Sequence, residues 1–317
     1  MNRILKEDFD YIFNNTNIPW DSLSGKSILI TGATGFLGSL LIRYFTYLNS
    51  EYHRDIRLIA LVRDAEKARQ IFDDRIIIAE GDICSLPQIP FDIDYIFHCA
   101  AETNSRKMVD NPVEVSEGIV IGTFNIMKLA YQKKIESAVY ISSMEIYGQI
   151  PDKHGKVDEN DYGYIDPLST RSCYPMGKRM AENICANYFH QYGLPVKIAR
   201  LSQTFGAGIH ETDNRVFSQF ARSVVNKEDI ILHTDGSAIG NYCYSADAIL
   251  GLIFILLKGK NGQAYNIVNE ESTMTIRQMA ELVAEKVAKG SISVRYDIPE
   301  SNIYGYAAPT KNRLSSR

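Results

Sequence analysis

The stretch Ser27-Ile-Leu-Ile-Thr-Gly-Ala-Thr-Gly-Phe-Leu-Gly38 decides the fold of this chain. Its apolar start predicts a buried parallel strand, three glycines follow at three-residue spacing, and residues 39–45 have helical character. The first amides of a helix have no partner inside the helix, and glycines let a backbone come close to a pyrophosphate. The strand, the G-x-x-G-x-x-G turn and the helix start together predict a dinucleotide site rather than a purely structural turn.

Length and composition place the chain among globular proteins that bury a large core. It has 317 residues, of which 45% are apolar, and a formal net charge of −4. A chain of this size forms one large or two modest domains. The slightly acidic balance and the lack of a basic run argue against nucleic acid as a partner.

The cysteines and the apolar segments indicate a cytoplasmic protein with no membrane partner. Five cysteines are scattered without a C-x-x-C pair or a metal-like Cys/His cluster, so we expect reduced thiols and no metal site. The N-terminus is too highly charged for a secretory signal. The longest apolar run, residues 248–257, is far shorter than the roughly 20 residues that span a bilayer, and it predicts a buried helix.

Apolar segments alternate with helical segments through the first two thirds of the chain. This alternation predicts an α/β fold, a Rossmann-like doubly wound parallel sheet, with ligands beyond the carboxyl ends of its strands. The helices are exemplified by residues 123–134 and 177–192. After the first strand, the further predicted strands cover residues 56–62, 76–79, 95–101, 138–143 and 196–201.

The predicted domain organisation has three parts. Residues 1–25 form an N-terminal helical extension, because Leu5, Phe9, Ile12 and Phe13 recur at helical spacing. Residues 26–201, with about 241–268, form the dinucleotide-binding domain. Residues 202–240 and 269–317 form a small C-terminal substrate-binding region. In that region, residues 275–289 predict a helix whose apolar face carries Ile276, Met279, Leu282, Val283 and Val287.

The catalytic candidates are Tyr174 and Lys178, together with Ser143. The phenol and the ammonium are four residues apart, so both lie on one face of a helix, and a nearby cation favours the phenolate that can accept a proton. Ser143, at the end of a predicted strand, would hydrogen-bond a substrate hydroxyl. A tyrosine–lysine pair alone also occurs on ordinary surfaces, but its combination with the glycine turn favours chemistry.

These motifs resemble the extended short-chain dehydrogenase/reductase family, in its nucleotide-sugar epimerase/dehydratase/decarboxylase branch. The resemblance covers residues 25–314 and is closest to UDP-glucuronate decarboxylases in residues 171–179, 199–206 and 214–218. It implies oxidation of a sugar C4 hydroxyl to a 4-keto intermediate with bound NAD, followed by decarboxylation, 4,6-dehydration or epimerisation. The stretches that carry it are residues 31–38, 81–83, 98–101, 142–148 and 174–178.

The resemblance also implies individual roles. Tyr174 would be the base, Lys178 its partner and a clamp on the nicotinamide ribose, and Ser143 the hydroxyl ligand. Glu145 would lie beside the sugar C5, and Gln203 and Arg215 would face the nucleotide diphosphate. Asp82 and Ile83 would contact adenine. The complete set of expected cofactor-binding residues is Gly32, Thr34, Gly35, Phe36, Leu37, Gly38, Arg63, Asp82, Ile83, Ala100, Ala101, Tyr174 and Lys178.

The sequence departs from the branch at several pocket positions. Met144 replaces the aspartate of 4,6-dehydratases, Gly240 replaces a substrate-binding arginine, and Ile119 and Gln203 replace asparagines. Three alternatives therefore stay open: a decarboxylase-like or dehydratase-like enzyme, a 4-epimerase or net C4 dehydrogenase/reductase, and a non-catalytic dinucleotide sensor.

The cofactor type and the assembly are further expectations. Arg63 follows the second strand, where an arginine accommodates the 2′-phosphate of NADP and an acid binds the ribose hydroxyl of NAD. Because an enzyme that recycles its hydride needs no reducing pool, NAD is expected and NADP stays open. By resemblance, a homodimer would form through the helices near residues 113–134 and 174–192.

Overall fold

The computed structural model describes residues 2–15, 17–150, 155–299 and 314–315. The strands in chain order are β1 (Ser27–Thr31), β2 (Arg57–Val62), β3 (Ile77–Glu80), β4 (Tyr95–His98), β5 (Ser137–Ser143), β6 (Val196–Leu201), β7 (Gln203–Phe205), β8 (Ile230–Leu232), β9 (Ile239–Gly240), β10 (Tyr242–Tyr244), β11 (Ala264–Ile267), β12 (Met274–Thr275) and β13 (Val294–Tyr296). The helices are α1 (Arg3–Phe13), α2 (Phe36–Tyr52), α3 (Ala65–Ile71), α4 (Lys107–Asp110), α5 (Pro112–Lys133), α6 (Cys173–Tyr192), α7 (Val216–Asn226), α8 (Ser245–Lys258) and α9 (Ile276–Leu282).

The central sheet confirms the predicted doubly wound architecture. Across the described ranges it has seven parallel strands in the order β11-β6-β5-β4-β1-β2-β3. Strand order reverses beside β1, which pairs with β2 on one side and β4 on the other. A crevice opens at such a switch point, beyond the carboxyl ends of the strands, and this is where open α/β sheets bind ligands.

Helices cover both faces of the sheet, each over its own hydrophobic core. On one face α2 and α8 pack with α1, and on the other α5 packs against α6. The strand β1 is buried along its whole length, as expected for a parallel strand between two helical layers. The predicted apolar helix over residues 248–257 is α8, and the following strand β11 returns to the sheet beside β6.

The N-terminal segment is part of the first core. Leu5, Phe9 and Ile12 are buried on one face of α1, and Trp20 and Leu23 are buried in a short 3₁₀ helix, Trp20–Leu23. The Phe9 ring packs edge-on against Tyr44 of α2 with ring centroids 5.3 Å apart. The extension therefore contains an amphipathic helix packed on α2, as the helical spacing predicted.

The late segments form a smaller layer with its own core. Three two-stranded pairings, β7 with β10, β8 with β13 and β9 with β12, lie beside α7 and α9. Phe220, Leu232 and Met279 are buried at its centre. Part of the predicted substrate-binding region, residues 300–313 and 316–317, lies outside the described residues.

Two predicted elements differ in extent from the structure. The strand predicted over residues 95–101 ends at His98, and the chain then turns toward the glycine loop. The helix predicted over residues 275–289 is α-helical only to Leu282 and continues as a π-helix, Val283–Val287. Leu282 and Val287 are exposed instead of facing the core, and the wider π turn accounts for the changed direction of Val287.

Among the described residues, no helix combines the length and the apolarity needed to cross a bilayer. The most apolar helix, α8, has 14 residues and packs against the central sheet.

Candidate functional site

The glycine turn between β1 and α2 has the geometry of an anion cradle. Gly32 has a φ of +62°, and a Cβ on it would lie 2.8 Å from the Cα of Ala100. A Cβ on Gly38 would lie 2.4 Å from the Gly32 carbonyl oxygen. Gly35 caps α2 without a side chain, so the amides of Phe36, Leu37 and Gly38 point out of the helix start. These features fit a pyrophosphate bound against the helix N-terminus.

A buried polar group fixes the two strands that flank this turn. Thr31 Oγ1 lies 2.8 Å from His98 Nδ1 and accepts a 3.0 Å hydrogen bond from the amide of Ala100. The other ring nitrogen of His98 lies 3.3 Å from Thr123 Oγ1. Burial, helped by the charge of Lys178, lowers the pKa of His98 to about 3. His98 is therefore a neutral positioning group at pH 7.

The residues expected to contact adenine lie at the next strand end. Asp82 accepts a 2.7 Å hydrogen bond from the amide of Cys84, and Asn125 donates to the carbonyls of Ile83 and Cys84. Gly122 of α5 packs against Ile83, because a Cβ there would lie 2.8 Å from Ile83 Cγ1. Asp82 and Ile83 are thus held in a fixed turn.

Two exposed side chains, Arg63 and Asp64, follow β2 at the position that selects the cofactor. Asp64 Oδ1 caps α3 by accepting a 2.9 Å hydrogen bond from the amide of Lys67. One oxygen of this carboxylate is therefore engaged in local structure, and both side chains face solvent at the strand end.

The predicted catalytic residues converge at the carboxyl end of β5. Tyr174 and Lys178 are both buried on α6, and Lys178 Nζ lies 5.8 Å from the centroid of the Tyr174 ring. Lys178 donates a 2.6 Å hydrogen bond to the carbonyl of Ile141 in β5. Ser143, at the end of the same strand, is close enough to the Tyr174 phenol to lower its pKa. The structure therefore brings Ser143, Tyr174 and Lys178 together. Glu145 follows two residues after Ser143.

The charge balance at Tyr174 differs from the expectation. In the protein alone, burial raises the pKa of the phenol, the nearby Glu145 raises it further, and Ser143, Arg171 and Arg215 act in the opposite direction. Burial also lowers the pKa of Lys178 to about 8. Desolvation of the phenol therefore outweighs the surrounding charges in the ligand-free protein, and the effect of Lys178 on a phenolate beside bound cofactor stays a prediction.

Glu145 lies on a 3₁₀ helix, Met144–Tyr147, that Ser143 caps by accepting from the Glu145 amide at 3.2 Å. Arg171 donates a 3.0 Å hydrogen bond to Glu145 Oε1, and the same nitrogen lies 3.0 Å from Oε2. Burial raises the pKa of Glu145, while Arg171 opposes that rise. The site therefore contains a buried carboxylate with a dedicated cation.

The expected substrate-binding residues lie on the side of the late segments. Arg215 pairs with Asp213, donates a 3.0 Å hydrogen bond to the carbonyl of Thr204, and stacks 5.6 Å from the ring of Phe36 in the glycine turn. Gln203 is half-buried in β7, and its backbone N–H donates to the carbonyl of Asn241. Arg215 is thus next to the cofactor cradle, whereas this bond fixes only the backbone of Gln203.

Two pocket positions that depart from the branch also have clear surroundings. Met144 packs against the apolar cluster of Ile146, Tyr147, Val157 and Leu314. A Cβ on Gly240 would lie 3.0 Å from the Tyr242 hydroxyl, so a longer side chain there requires Tyr242 to move. Within the described residues, no group of three or more His, Cys, Asp or Glu side chains is arranged to hold a metal ion.

Comparison with known proteins agrees with this geometry. The model of the NAD dependent epimerase/dehydratase family matches residues 28–269. This chain belongs to the NAD-dependent epimerase/dehydratase family. Residues 28–269 run from the glycine turn through the catalytic residues to the last strand of the central sheet, so the match covers the whole cofactor cradle and the Tyr174–Lys178 pair.

Individual members of the family are similar over most of this chain. A zebrafish (Danio rerio) UDP-glucuronic acid decarboxylase 1 is 29% identical over 84% of the chain and 62% of its own length. An Arabidopsis thaliana UDP-glucuronic acid decarboxylase 6 is 30% identical over 83% of the chain and 75% of its own length. The chain thus spans less than two thirds of the zebrafish relative.

A solved structure shares the fold. The UDP-glucuronic acid 4-epimerase of Bacillus cereus, solved with UDP-glucuronic acid and NAD, superposes with a TM-score of 0.70 at 19% identity, covering 91% of this chain and 89% of that one. At this identity the likeness shows the epimerase/dehydratase fold.

Arg171 is the residue of the site that sequence reasoning missed. It stands three residues before Tyr174, within the quoted decarboxylase-like stretch, but an arginine ahead of a helix is an ordinary surface residue in sequence. A signal was available in its spacing, because one helical turn separates it from the expected base.

Proposed function

We propose that this chain is an NAD-dependent nucleotide-sugar enzyme that works through oxidation at the sugar C4. The supporting observation is the convergence of Ser143, Tyr174 and Lys178 beyond the same sheet edge as the glycine turn. The decarboxylase relatives favour a UDP-glucuronate decarboxylase-like reaction, with a 4,6-dehydratase-like reaction as the companion alternative.

The cofactor cradle fits NAD. The amides of Phe36, Leu37 and Gly38 would bind the pyrophosphate, Asp82 and Ile83 the adenine, and Ala100 and Lys178 the nicotinamide half. When bound, NAD supplies the hydride acceptor for the C4 hydrogen. Thr34, Gly35 and Ala101 would line the same cradle.

The side chains would divide the proton chemistry among them. Ser143 would bind the C4 hydroxyl, and the Tyr174 phenolate would accept its proton as the C4 hydrogen leaves with its electron pair. Lys178, which donates a hydrogen bond to the carbonyl of Ile141, would stabilise the negative charge of the Tyr174 phenolate. The product of this step is a 4-keto sugar, whose carbonyl acidifies C5.

Glu145 would act on C5 of the 4-keto sugar. A carboxylate beside C5 can accept the C5 proton while the C–H electron pair moves to the C4 oxygen as an enolate, and can later return the proton. If the sugar carries a C5 carboxylate, that group leaves as carbon dioxide instead, the electron pair of the broken C5–C bond forms the enolate, and C5 then takes up a proton from water. Met144 cannot protonate a leaving hydroxyl, which favours the second course over 4,6-dehydration.

A 4-epimerase or a net C4 dehydrogenase/reductase is the second candidate. The small residue at Gly240, packed on Tyr242, removes the arginine that decarboxylase-type sites use toward the substrate. Such a pocket suits a sugar without a carboxylate. Glu145 and its partner Arg171 argue for the first candidate, since simple hydride transfer at C4 needs no carboxylate at C5.

A panel of UDP-, dTDP-, CDP- and GDP-sugars, incubated with the purified chain and NAD and analysed by mass spectrometry, tests the proposal. Loss of the mass of carbon dioxide indicates decarboxylation, and loss of the mass of water indicates dehydration. An unchanged mass with a new retention time indicates epimerisation. Turnover of no sugar nucleotide, with NAD bound, would favour the dinucleotide sensor.

We further propose NAD rather than NADP as the cofactor, because an enzyme that returns its hydride needs no reducing pool, and Arg63 marks the position at which the 2′-phosphate of NADP would bind. Its side chain is exposed at the end of β2, next to the helix-capping Asp64. The affinities of wild type and Arg63→Ala for both dinucleotides test this. Preference of the wild type for NADP, lost in Arg63→Ala, would reverse the assignment.

We also propose a homodimer formed through α5 and α6. Ile121, Phe124 and Tyr131 are exposed on α5 at three- to seven-residue spacing, and Met176 and Met180 are exposed one turn apart on α6. Two packed helices with adjacent apolar faces offer the surface that a second copy would bury as a four-helix bundle.

A further inference from the structure

Arg171 is placed to act on the chemistry without reaching the expected cofactor cradle. It lies on a 3₁₀ helix, Thr170–Ser172, that leads directly into α6, and only 7% of its surface is exposed. Its Nη2 is 3.0 Å from each oxygen of Glu145, and its Cζ lies 6.0 Å from the centroid of the Tyr174 ring. One guanidinium therefore touches Glu145 and the ring of the expected base.

Because Glu145 is buried, its contact with Arg171 determines how readily the carboxyl group ionises. A buried carboxylate that loses its cation takes up a proton or destabilises the fold. Arg171 is the cation that offsets the burial of Glu145, whereas Lys178 and Arg215 are engaged elsewhere, with the carbonyl of Ile141 and with Asp213. Within the described residues, Glu145 Oε2 is buried and accepts no aligned hydrogen bond, although Arg171 Nη2 lies 3.0 Å from it.

We propose that Arg171 is a positioning residue that keeps Glu145 an ionised carboxylate in a fixed orientation. The inference rests on the proposed function, in which Glu145 acts as a carboxylate beside the sugar C5. Arg171 holds Oε1, which fixes the rotamer, and its charge favours the carboxylate over the neutral acid. It acts through Glu145 and not on the substrate itself.

The groups that face Glu145 limit the alternatives. Tyr174 and Cys173, both on α6, interact with its charge, and Ser143 binds its backbone amide. Glu145 raises the pKa of both Tyr174 and Cys173, whereas Arg171 lowers them. Loss of Arg171 is therefore expected to shift the acidic limb of a pH–rate profile to higher pH.

The test compares Arg171→Gln, Arg171→Lys, Glu145→Gln and the double variant Glu145→Gln/Arg171→Gln, with Arg106→Gln as a matched control. Arg106 forms an arginine–carboxylate pair with Asp110 that is exposed on α4. Arg171→Gln is expected to lower kcat at least tenfold at pH 7, with a loss that shrinks as pH rises, because each pKa unit corresponds to a factor of about ten. Arg171→Lys restores the charge but not the planar fork and should lie in between.

The double variant shows whether Arg171 and Glu145 act as a coupled pair or contribute to turnover independently. If Arg171 acts through Glu145, the double variant loses far less activity than the product of the two single losses. Losses that multiply, or an Arg171→Gln loss that is equal at every pH, would overturn the proposal. Arg106→Gln should match the wild type.

A folding measurement tests the pair independently of turnover. The urea midpoint of Arg171→Gln should fall further below that of the wild type at pH 8 than at pH 5, since the unpaired buried carboxylate disfavours the fold only when ionised. The added Glu145→Gln change should remove that pH dependence. A urea midpoint lowered equally at both pH values would contradict the pairing of Arg171 with Glu145. This measurement needs no substrate, so a failure to turn over any sugar nucleotide would count against the proposed function alone.

Discussion

The phenol of Tyr174 is the single atom group on which the proposed chemistry depends most. The phenol is buried near Ser143, and Lys178 Nζ lies 5.8 Å from the ring centroid. Tyr174→Phe removes the hydroxyl but keeps the ring that packs in the core. Tyr174→Phe should therefore lower turnover by about 10²- to 10⁴-fold while the affinity for NAD stays unchanged. Rates and dinucleotide binding are the two measurements.

Tyr188→Phe, on the same helix, is the matched control and should retain wild-type turnover. If Tyr174→Phe were as active as Tyr188→Phe, Tyr174 would not be the base, and the sensor alternative would gain support.

Gly32 is the residue at which backbone conformation and space both require glycine. An alanine there would combine a left-handed φ with a backbone collision at Ala100. Gly32→Ala should weaken NAD binding by at least tenfold, measured by titration calorimetry.

Gly25 provides the control for the conformational part of this cost. Its φ is +71°, but a Cβ on it meets nothing within 4 Å. Gly25→Ala should lose some stability and keep its NAD affinity. Equal losses of affinity in both variants would show that the glycine turn does not bind the cofactor.

At the scale of elements, a buried lysine joins β6 to the end of α8. Lys197 donates to the hydroxyl of Ser137 at 2.6 Å and lies 3.4 Å from the carbonyl of Leu256. Cations are favoured at helix C-termini, yet burial without a carboxylate lowers the pKa of Lys197 to about 8. The unfolded chain therefore binds one more proton than the folded chain between about pH 8 and 10.5.

Because the folded pKa is lowered, stability should rise with pH across this interval. The slope for one proton approaches about 1.4 kcal/mol per pH unit. Lys197→Met should abolish this component, which urea unfolding at several pH values measures as the difference from the wild type. The difference curve also cancels the contribution of Lys178. A difference that stays constant with pH contradicts the titration of Lys197.

A second element-scale feature supports the 3₁₀ helix that carries Glu145. Arg200 of β6 is fully buried and donates to Glu182, to the hydroxyls of Tyr147 and Tyr162, and to the carbonyl of Glu159. Tyr147 also donates to Asn266 of β11. Five donors matched to acceptors form a satisfied buried network, so Arg200 has a structural role although it lies at a strand end.

At the scale of the whole molecule, the proposed dimer gives a direct prediction. Phe124→Glu places a charge on the exposed apolar face of α5, where a second copy would bury it. The variant should be monomeric by light scattering at concentrations at which the wild type is dimeric. Tyr11→Glu, exposed on α1 away from that face, is the control and should leave the assembly unchanged. A monomeric wild type would end the proposal.

The sequence by itself determined the features that depend on local spacing. The run from residue 27 to residue 38 fixes a strand, a turn and a helix start because the glycines and the apolar residues act through the backbone of that segment. The Tyr174–Lys178 spacing likewise places both side chains on one helix face. The parallel sheet and its two helical layers follow from the alternation of elements.

Only the tertiary structure decided what depends on burial and on residues distant in sequence. The Arg171–Glu145 pair, the Lys178 contact with Ile141 and the place of Arg215 beside Phe36 each join separate segments. The rise in the pKa of Tyr174 depends on desolvation, and the exposure of Val287 depends on a π turn, neither of which spacing encodes. Burial disfavours the charged form of a titratable group, and how deeply a group is buried depends on the packing of the whole molecule.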